Sequence, residues 1–511
     1  MTTPALPFDP SGIHLDRRQG LSHQLYQVLR ARILDGRLSA GTRLPASRDL
    51  AQVLVLSRNT VMRAYDQLYA EGFIEGKVGS GTFVARFGRR PEKQSTHLST
   101  GFNPQLSTGL STKRPEKPED TYSSRPFSEA LERLKQHHLA PVSAGAPCAF
   151  RVGMPAVDLF PFQVWARLQA GFWRKPEAAL LGYAEAAGYA PLRELIAAYL
   201  RGSRGMTCSA EQIVITSGAQ QGISLCAQLL SGPGQAVAVE NPGYRAAAMA
   251  FANAGAQLHG IALDDQGMDC RALADVEDCR LAYVTPAHQY PTGVTMSLAR
   301  RLELLGWAER VDGWIVEDDY DGEYRYQGAP LAPLAALDRH GRVVYVGTFG
   351  KVAFPALRLG YLVVPPALSE LFALRRAVDG RHVEIGTQGV MARFIAEGHF
   401  QRHIRRMRRA ALSRRDALLD AWPQAIPGCA PIPAIDAGLH VKIDVADHAR
   451  EQHLIATARK AGVELNGLTD YWLRDSRLPV GKTAGLVLGF AAVKEPMIRE
   501  AVQRLRKAWD V

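Results

Sequence analysis

The stretch VVYVGTFGKVAFPALRLGYLVV, residues 343–364, decides the fold class of this chain. Two apolar runs, VVYVG (343–347) and LGYLVV (359–364), flank a turn that carries Lys351 and Arg358. Near-continuous runs of this kind are typical of strands that are buried on both faces of a sheet. A lysine after such a strand can form a Schiff base if burial lowers its pKa, although most lysines in this position are ordinary surface residues.

Other apolar runs precede this stretch, with helical patterns between them. They are IVITS (213–217), AVAVE (236–240), LAYVT (281–285) and GWIVE (313–317). The alternation of strands and helices predicts an α/β domain with a mainly parallel sheet. Beyond about residue 367 the pattern changes to long helices and then to strand candidates near 438–443, 462–466 and 485–490. This change indicates a smaller α+β subdomain at the end of the chain.

The length of 511 residues corresponds to roughly three folding units at about 150 residues each. Residues 86–125 are dominated by Pro, Ser, Thr, Gly and charged residues, so they bury too little apolar surface to offset their ordering entropy. We therefore predict a first domain over residues 1–85, a flexible basic linker over 86–144 and a large domain over 145–511. The large part of that last domain spans about 145–366, and the small part spans about 367–511.

The net charge of +11 is concentrated near the amino terminus. Residues 1–125 carry 18 Lys and Arg against 11 Asp and Glu, which indicates nucleic acid as a partner of this region. No run approaches the ~18 apolar residues of a membrane span, and the first residues lack a signal-peptide pattern. The six cysteines include no C-x-x-C pair. We expect a cytoplasmic protein with reduced thiols, no membrane partner and no metal site.

The pattern of apolar, capping and turn residues in the first 85 positions predicts three helices followed by two short strands. Apolar residues at helical spacing mark the first helix over 21–34, and Ser57 is a suitable N-cap for the third. In that third helix Val61 and Leu68 share one face, whereas Asn59 and Arg63 lie on the opposite one. Amide and guanidinium groups on an exposed helix suit base edges and phosphates. After Gly72, the segment FIEGKVGSGTFVA (73–85) predicts two strands around a Gly-rich tip, which is a wing.

The segment LPASRDLAQVLVLSRNTVMRAYDQLYAEGFIEGKVGSGTFV (44–84) resembles the winged helix-turn-helix of the GntR family. The resemblance implies contacts with double-stranded DNA by Arg43, Arg48, Arg58, Asn59, Thr60, Arg63 and Lys77. The alternative is that Arg58 and Arg63 only solvate a surface helix. Which of these residues reads a base and which touches phosphate stays open.

Further motifs in the large domain follow predicted strands. The backbone N–H groups of TSGAQQ (216–221) can hold a phosphate at a helix N-terminus, although Gly-rich turns of this kind are common. In ENPGY (240–244) the ring of Tyr244 can stack on a planar cofactor or simply pack. In EDDY (317–320) a carboxylate aimed at a ring nitrogen would keep that nitrogen protonated, making the ring an electron sink.

In this order, the motifs resemble those of fold-type I aminotransferases that bind pyridoxal 5′-phosphate (PLP). The resemblance extends to FRVGMPAVDLFPFQVWARL (150–168), VTPAHQYPTGVTMS (284–297) and VEDDYDGEYRY (316–326). Together with the winged helix, the chain resembles the MocR family of GntR-type regulators over nearly its full length.

This resemblance implies a role for each matching residue. Lys351 would form the internal aldimine, Asp318 would pair with the pyridinium nitrogen, Tyr320 would bind the ring hydroxyl and Tyr244 would stack. The phosphate would be held by Gly218, Ala219, Gln220, Thr348 and Arg358. Tyr183 would reach in from the other subunit of a homodimer.

The chain departs from the aminotransferase pattern at three places. Tyr290 stands where Asn usually precedes Pro-x-Gly, which fits the MocR pattern, and Gly350 replaces Ser, which costs one possible hydroxyl contact. Val487 in LVLGF (486–490) replaces a carboxylate-binding arginine and so removes the bidentate donor for an amino-acid carboxylate. We therefore expect no physiological transamination, but a regulator that senses PLP, or a small amine or amino acid, through Lys351. The alternatives are an active aminotransferase with a fused DNA-binding domain, and a scaffold that has lost the cofactor.

Two other features have simple interpretations. The basic run HIRRMRRAALSRR (403–415) can extend a DNA surface or belong to a helix of the small subdomain, and the second interpretation is favoured. His288 and His440 are isolated in the sequence and are interpreted as structural.

Overall fold

The computed structural model describes residues 13–16, 20–77, 81–85, 145–328, 331–473 and 483–511. The predicted linker over 86–144 lies outside the described residues, as does the tip of the wing at 78–80. The domain boundaries therefore stay predictions.

The amino-terminal unit has the predicted three helices and wing. Its elements are α1 (Leu21–Leu34), α2 (Ser47–Leu54), α3 (Arg58–Ala70), β1 (Ile74–Lys77) and the antiparallel β2 (Gly81–Val84). The Ser57 hydroxyl accepts a hydrogen bond from the backbone N–H of Thr60 at 3.1 Å, which confirms the predicted N-cap. Val61 and Leu68 are fully buried, as their helical spacing predicted.

The large unit contains one eight-stranded sheet. In chain order its strands are β3 (Ile213–Thr216), β4 (Ala236–Asn241), β5 (Gln257–Asp264), β6 (Gly267–Met268), β7 (Leu281–Val284), β8 (Trp314–Asp319), β9 (Val343–Thr348) and β10 (Gly360–Val363). Their order in the sheet is β3-β10-β9-β8-β7-β4-β5-β6. β10 runs antiparallel to both of its neighbours, whereas β9, β8, β7, β4 and β5 are parallel. The parallel centre places the carboxyl ends of these strands at one edge.

Helices cover the faces of this sheet. They are α4 (Phe162–Arg174), α5 (Ala190–Arg204), α6 (Ala219–Leu230), α7 (Arg245–Asn253), α8 (Leu298–Arg310) and the single turn α9 (Leu334–Leu337). The mixed eight-stranded sheet with its helices confirms the predicted α/β class. β5 was missed by the sequence interpretation because, apart from the buried Ile261, its residues are exposed or part-buried and form no continuous apolar run.

The carboxyl-terminal region has the predicted α+β character. Its helices are α10 (Ser369–Gly380), α11 (Ile385–Ala396), α12 (His399–Ala421), α13 (His448–Lys460) and α14 (Glu495–Trp509). Its strands β11 (His440–Val445), β12 (Asn466–Gly467) and β13 (Ala484–Gly489) form one antiparallel sheet in the order β11-β13-β12.

The basic run 403–415 lies within α12, and several of its side chains pack inside the large unit. Arg414 is buried, donates to the carbonyl of Ala491 at 2.6 Å and pairs with Asp158 at 2.8 Å. Arg408 donates to the carbonyl of Glu323 at 2.8 Å. These contacts favour the structural interpretation for these two arginines.

The amino-terminal unit is seated on the large unit of the same chain. Side chains of α8 and α9 pack in the apolar cluster of the winged helix: Leu298, Leu302, Leu305 and Leu337. The Arg30 guanidinium of α1 donates to the carbonyl of Ala336 in α9 at 3.0 Å. In the described parts of the chain, no helix is long and apolar enough to cross a membrane.

Candidate cofactor site and nucleic-acid surface

A cavity of about 270 Å³ lies where the carboxyl ends of β8 and β9 meet the amino end of α6. Nine of the ten predicted cofactor residues line it: Gly218, Ala219, Gln220, Tyr244, Asp318, Tyr320, Thr348, Lys351 and Arg358. The fold therefore brings together residues that are separated by more than a hundred positions in sequence.

Lys351 follows β9 in a turn that is closed by the backbone N–H of Phe349 donating to the carbonyl of Leu359 at 3.0 Å. Its Nζ donates to the carbonyl of Gly153 at 2.6 Å. Burial lowers the pKa of the Lys351 amine, and the carboxylates of Asp321 and Asp318 oppose that shift. A lowered pKa increases the neutral, nucleophilic fraction of the amine.

Asp318 is buried near the end of β8, with one of its two carboxylate oxygens in use. The Tyr283 hydroxyl donates to Oδ2 at 2.7 Å, and Oδ1 has no hydrogen-bond partner among the described residues. Burial raises the pKa of Asp318 to about 7. A protonated ring nitrogen in the cavity would supply the missing donor and stabilise the carboxylate.

The turn before α6 forms a cradle together with Arg358. Gly218 has φ +81°, and a Cβ atom built there would lie 3.1 Å from Cζ of Arg358. Arg358 donates to the carbonyl of Ser217 at 3.1 Å. The free N–H groups of a helix N-terminus beside a guanidinium fit a phosphate group.

Three tyrosine rings stand around the cavity. Tyr290 contacts Tyr244 and Tyr320 edge to face, with ring centroids 5.6 and 5.7 Å apart. The Tyr320 hydroxyl donates to the carbonyl of His288 at 2.8 Å. Tyr290, which occupies the position of the usual asparagine, directs its hydroxyl to Tyr471 at 3.4 Å.

The sequence interpretation missed several supporting residues, among them Gly153, Tyr283, Glu240 and Gln289. The buried Glu240 carboxylate accepts from the Thr285 hydroxyl at 2.6 Å and from the Gln289 amide at 3.1 Å. Burial raises the pKa of Glu240 to about 7. These bonds fix the loop that carries Tyr290. Gln289 lies inside the motif 284–297, but its partner could not be read from the sequence.

His288 and His440 are not isolated, which corrects the sequence interpretation. Their ring centroids are 4.7 Å apart, and Nδ1 of His288 lies 3.0 Å from Oδ2 of Asp321. Burial lowers the pKa of His440, and the neighbouring His288 lowers it further. Ligand-type atoms of these three buried residues lie within 4.8 Å of one another. The cluster forms from segments far apart in the chain, so no local spacing could predict it.

Two residues of the sequence interpretation do not line the cavity. Tyr183 is 87% exposed, and its ring faces His382 at 6.4 Å. Val487 is fully buried in β13, where it is paired with Lys442 and Asn466. The consequence of Val487 for carboxylate binding stays a prediction.

The winged helix exposes the predicted nucleic-acid surface. Arg43, Arg48, Arg58, Asn59 and Arg63 are exposed, and Thr60 is half-buried against Ser57. Arg58 reaches back to Ser47, with Nε 3.4 Å from Oγ. The backbone of Lys77 pairs with Gly81, and its side chain lies outside the described residues.

Comparison with known families agrees with this division of the chain. Residues 158–440 match aminotransferase class I and II, and residues 21–84 match bacterial regulatory proteins of the gntR family. Fold and site thus define an aminotransferase-like domain joined to a winged-helix DNA-binding domain. Because the relatives that the chain matches over nearly its full length include a MocR protein, the chain belongs to the MocR family of GntR-type transcription regulators.

Relatives share this organisation over almost their whole length. The chain is 35% identical to a probable rhizopine catabolism regulatory protein, MocR, of Rhizobium meliloti, covering 96% of this chain and 94% of the relative. It is 31% identical to the pyridoxine biosynthesis transcriptional regulator PdxR of Corynebacterium glutamicum, covering 95% of each.

Solved structures match the large domain. Kynurenine aminotransferase of Pyrococcus horikoshii, solved in complex with PMP, is 29% identical with a TM-score of 0.64, covering 76% of this chain and 95% of that one. The α-aminoadipate aminotransferase LysN of Thermus thermophilus, complexed with N-(5′-phosphopyridoxyl)-L-leucine, is 25% identical with a TM-score of 0.66, covering 75% and 97%. The fold of the large domain is therefore that of the aminotransferases.

Proposed function

We propose that this protein is a PLP-dependent transcription regulator whose large domain senses PLP itself, or a small amine or amino acid, through Lys351. The observation that carries the proposal is Oδ1 of Asp318, which has no hydrogen-bond partner in the described parts of the chain and lies in the same cavity as Lys351, Gly218 and Arg358. A buried carboxylate oxygen without a donor is costly. A cationic ring nitrogen removes that cost.

The residues present fit the cofactor at each of its polar groups. The phosphate fits the N–H groups of Ala219 and Gln220 with the Arg358 guanidinium and the Thr348 hydroxyl. The ring nitrogen fits Asp318, and the Tyr244 ring is available for stacking on the pyridine. When bound, PLP supplies an aldehyde that condenses reversibly with primary amines.

The protein's own groups prepare that chemistry. Lys351 presents an amine whose pKa is lowered by burial, so the reactive neutral form is accessible. Asp318 would hold a proton on the ring nitrogen, and the Tyr283 hydroxyl orients the Asp318 carboxylate by donating to its Oδ2. Tyr320 donates its hydroxyl proton to the carbonyl of His288 and can offer it to the ring oxygen instead.

We further propose a homodimer. Tyr183 and Leu181 are 87% and 65% exposed, which is unusual for two large apolar side chains that are only two positions apart in the chain. The second copy of this chain would cover them, and Tyr183 would complete the partner's cavity. Two winged helices would then bind paired sites on double-stranded DNA in the cytoplasm, with Arg58, Asn59 and Arg63 facing the groove or the phosphates.

The test is the visible absorption spectrum of the purified protein, before and after borohydride reduction, with Lys351→Ala alongside. We expect PLP to give a visible absorption band that borohydride removes, and a pyridoxyl group that mass spectrometry locates on Lys351. A Lys351→Ala protein with the same band and the same DNA response to PLP would overturn the proposal.

The second candidate is an active aminotransferase with a fused DNA-binding domain. The aminotransferase fold and the nine predicted cofactor residues that line the cavity favour it. Val487, which stands in place of a carboxylate-binding arginine, argues against it. Steady conversion of an amino acid and a 2-oxo acid, abolished in Lys351→Ala, would establish this candidate.

A further inference from the structure

Three consecutive carboxylates end strand β8 and point to opposite faces of the sheet. Asp318 lines the cofactor cavity, whereas Glu317 and Asp319 lie on the other face because side chains alternate along a strand. All three are buried. Glu317 and Asp319 are the direct chain neighbours of Asp318. A shift of Asp318 therefore moves the groups that Glu317 and Asp319 bind.

Glu317 holds the segment on which the winged helix is seated. Its two oxygens accept from the backbone N–H groups of Leu334 and Ala335, at 2.8 and 2.9 Å. The carbonyl of the next residue, Ala336, accepts from Arg30 of the winged helix. The Glu317 carboxylate is thus a buried clamp on α9, one hydrogen bond away from the DNA-binding unit.

Asp319 reaches the same unit through Arg204 at the end of α5. The Arg204 guanidinium pairs with Asp319 at 3.1 Å and with Glu323 at 3.2 Å, and the Tyr345 hydroxyl donates to Asp319 at 2.7 Å. Arg204 also lines a cavity of about 140 Å³, whose opposite wall belongs to the winged helix: His23, Tyr26, Gln67 and Glu71. Both flanking carboxylates therefore contact groups that border the seated winged helix.

The contact between the winged helix and helices α8 and α9, which we call the seat, is small enough for the two units to separate and dock again. Among the described residues, a few leucines of α8 and α9 make the apolar part of this contact, and Arg30 adds a hydrogen bond to the carbonyl of Ala336. Contacts between domains of one chain resemble transient interfaces, so relative motion is the expected behaviour. A small change in the position of α9 can shift such an equilibrium.

We infer that strand β8 couples the cofactor cavity to the winged helix: a cation bound at Asp318 fixes the strand end, and Glu317 and Asp319 pass that change to α9 and Arg204. The inference rests on the proposed function and adds the physical connection through which occupancy of the cavity reaches the DNA-binding unit. Seated and released winged helices are the two states that the cavity biases.

The test compares DNA affinity and hydrogen exchange of the full-length protein with and without PLP. Coupling of ordinary strength changes the DNA dissociation constant of the wild type by about 5-fold or more, together with exchange protection of α1 and residues 334–337. In Glu317→Gln the new side-chain NH₂ group faces a backbone N–H donor, so one of the two hydrogen bonds to α9 is lost. We expect PLP to change the DNA dissociation constant of this variant by less than about 2-fold. Borohydride should still trap PLP on its Lys351.

Arg30→Met provides the second variant, because Arg30 lies at the seat rather than in the core, and it should show the same loss. Arg37→Met is the matched control: it removes the same charge from an exposed side chain of the winged helix that pairs with Asp35. A wild type that binds no PLP would overturn the proposed function and this inference together. A wild type that binds PLP, with Glu317→Gln and Arg30→Met responding to it as the wild type does, would overturn this inference alone.

Discussion

The side-chain amine of Lys351 donates a hydrogen bond to the carbonyl oxygen of Gly153, 2.6 Å away. A Cβ atom on Gly153, where φ is +73°, would lie 2.9 Å from that nitrogen. Two distant segments of the chain thus fix the amine that is proposed to bind the cofactor, and they enclose it where burial disfavours its charge.

The enclosed amine leads to a pH prediction. Because burial lowers the pKa of Lys351 below its usual 10.5, the neutral amine is present at lower pH than for a free lysine. The rate of covalent attachment of PLP should rise with pH and reach half its maximum below 10.5. Stopped-flow absorbance from about pH 6 to about pH 11 measures this rate. A half-maximum at or above 10.5 would show that burial does not tune this amine.

The buried carboxyl groups lead to a prediction about stability. Burial raises the pKa values of Asp318, Glu240 and Glu317 to about 7. The unfolded chain therefore loses these protons first, and the PLP-free protein should lose stability as pH rises from about 4 to about 7. For each group, a difference of one between the folded and the unfolded pKa corresponds to about 1.4 kcal/mol. Thermal unfolding at about pH 5 and about pH 8 measures the loss. Asp318→Asn should reduce the difference, and an unchanged difference would contradict the assignment to Asp318.

The cradle leads to a matched pair of glycine variants. Gly218 and Gly234 have similar φ values, +81° and +79°, but only at Gly218 would a new Cβ meet Arg358, since Gly234 has open space around it. Both Ala variants should lose roughly 1–3 kcal/mol of stability from backbone strain. Gly218→Ala should in addition weaken PLP binding about 10-fold or more, measured by absorbance titration. Equal PLP affinity in the two variants would remove the cradle from the proposed site.

The sequence predicted site residues that local patterns mark, and it missed residues whose roles depend on contacts between segments far apart in the chain. Lys351 and Asp318 were assigned from the resemblance to the aminotransferases. Their proximity could be expected because each lies at the carboxyl end of a buried strand, and the carboxyl ends of parallel strands meet at one edge of the sheet. Gly153 and Tyr283 could not be found, because their roles come from tertiary contacts that no local pattern encodes. The His288 and His440 pair was misjudged for the same reason. The edge-proximal strand β5 was missed since partial exposure removes the apolar run that marks central strands.

The exposed arginines of α3 lead to a prediction about DNA binding. An arginine that touches phosphate releases counterions, so its loss should reduce the slope of log affinity against log salt by about 0.9 and weaken all sequences alike. An arginine that reads a base should instead cost about 1–3 kcal/mol on the preferred site with little change in slope. Arg58→Ala and Arg63→Ala, titrated at several salt concentrations, assign each residue to one class. If both variants behave like the wild type, α3 does not face DNA.

Tyr290 offers a test of whether the cavity is suited to amino transfer. Its ring packs against Tyr244, Tyr320, Tyr471 and His440, at the position where aminotransferases carry asparagine. Tyr290→Asn should cost about 2 kcal/mol of stability, because it removes a half-buried ring from its contacts, and should raise amino transfer from a screen of amino acids above the wild-type rate. Tyr290→Phe keeps the ring and loses the long hydroxyl contact with Tyr471, so it should match the wild type in both respects. If the wild type transfers amino groups as fast as Tyr290→Asn or faster, the tyrosine is no barrier to turnover. An active aminotransferase would then describe this domain better than a sensor.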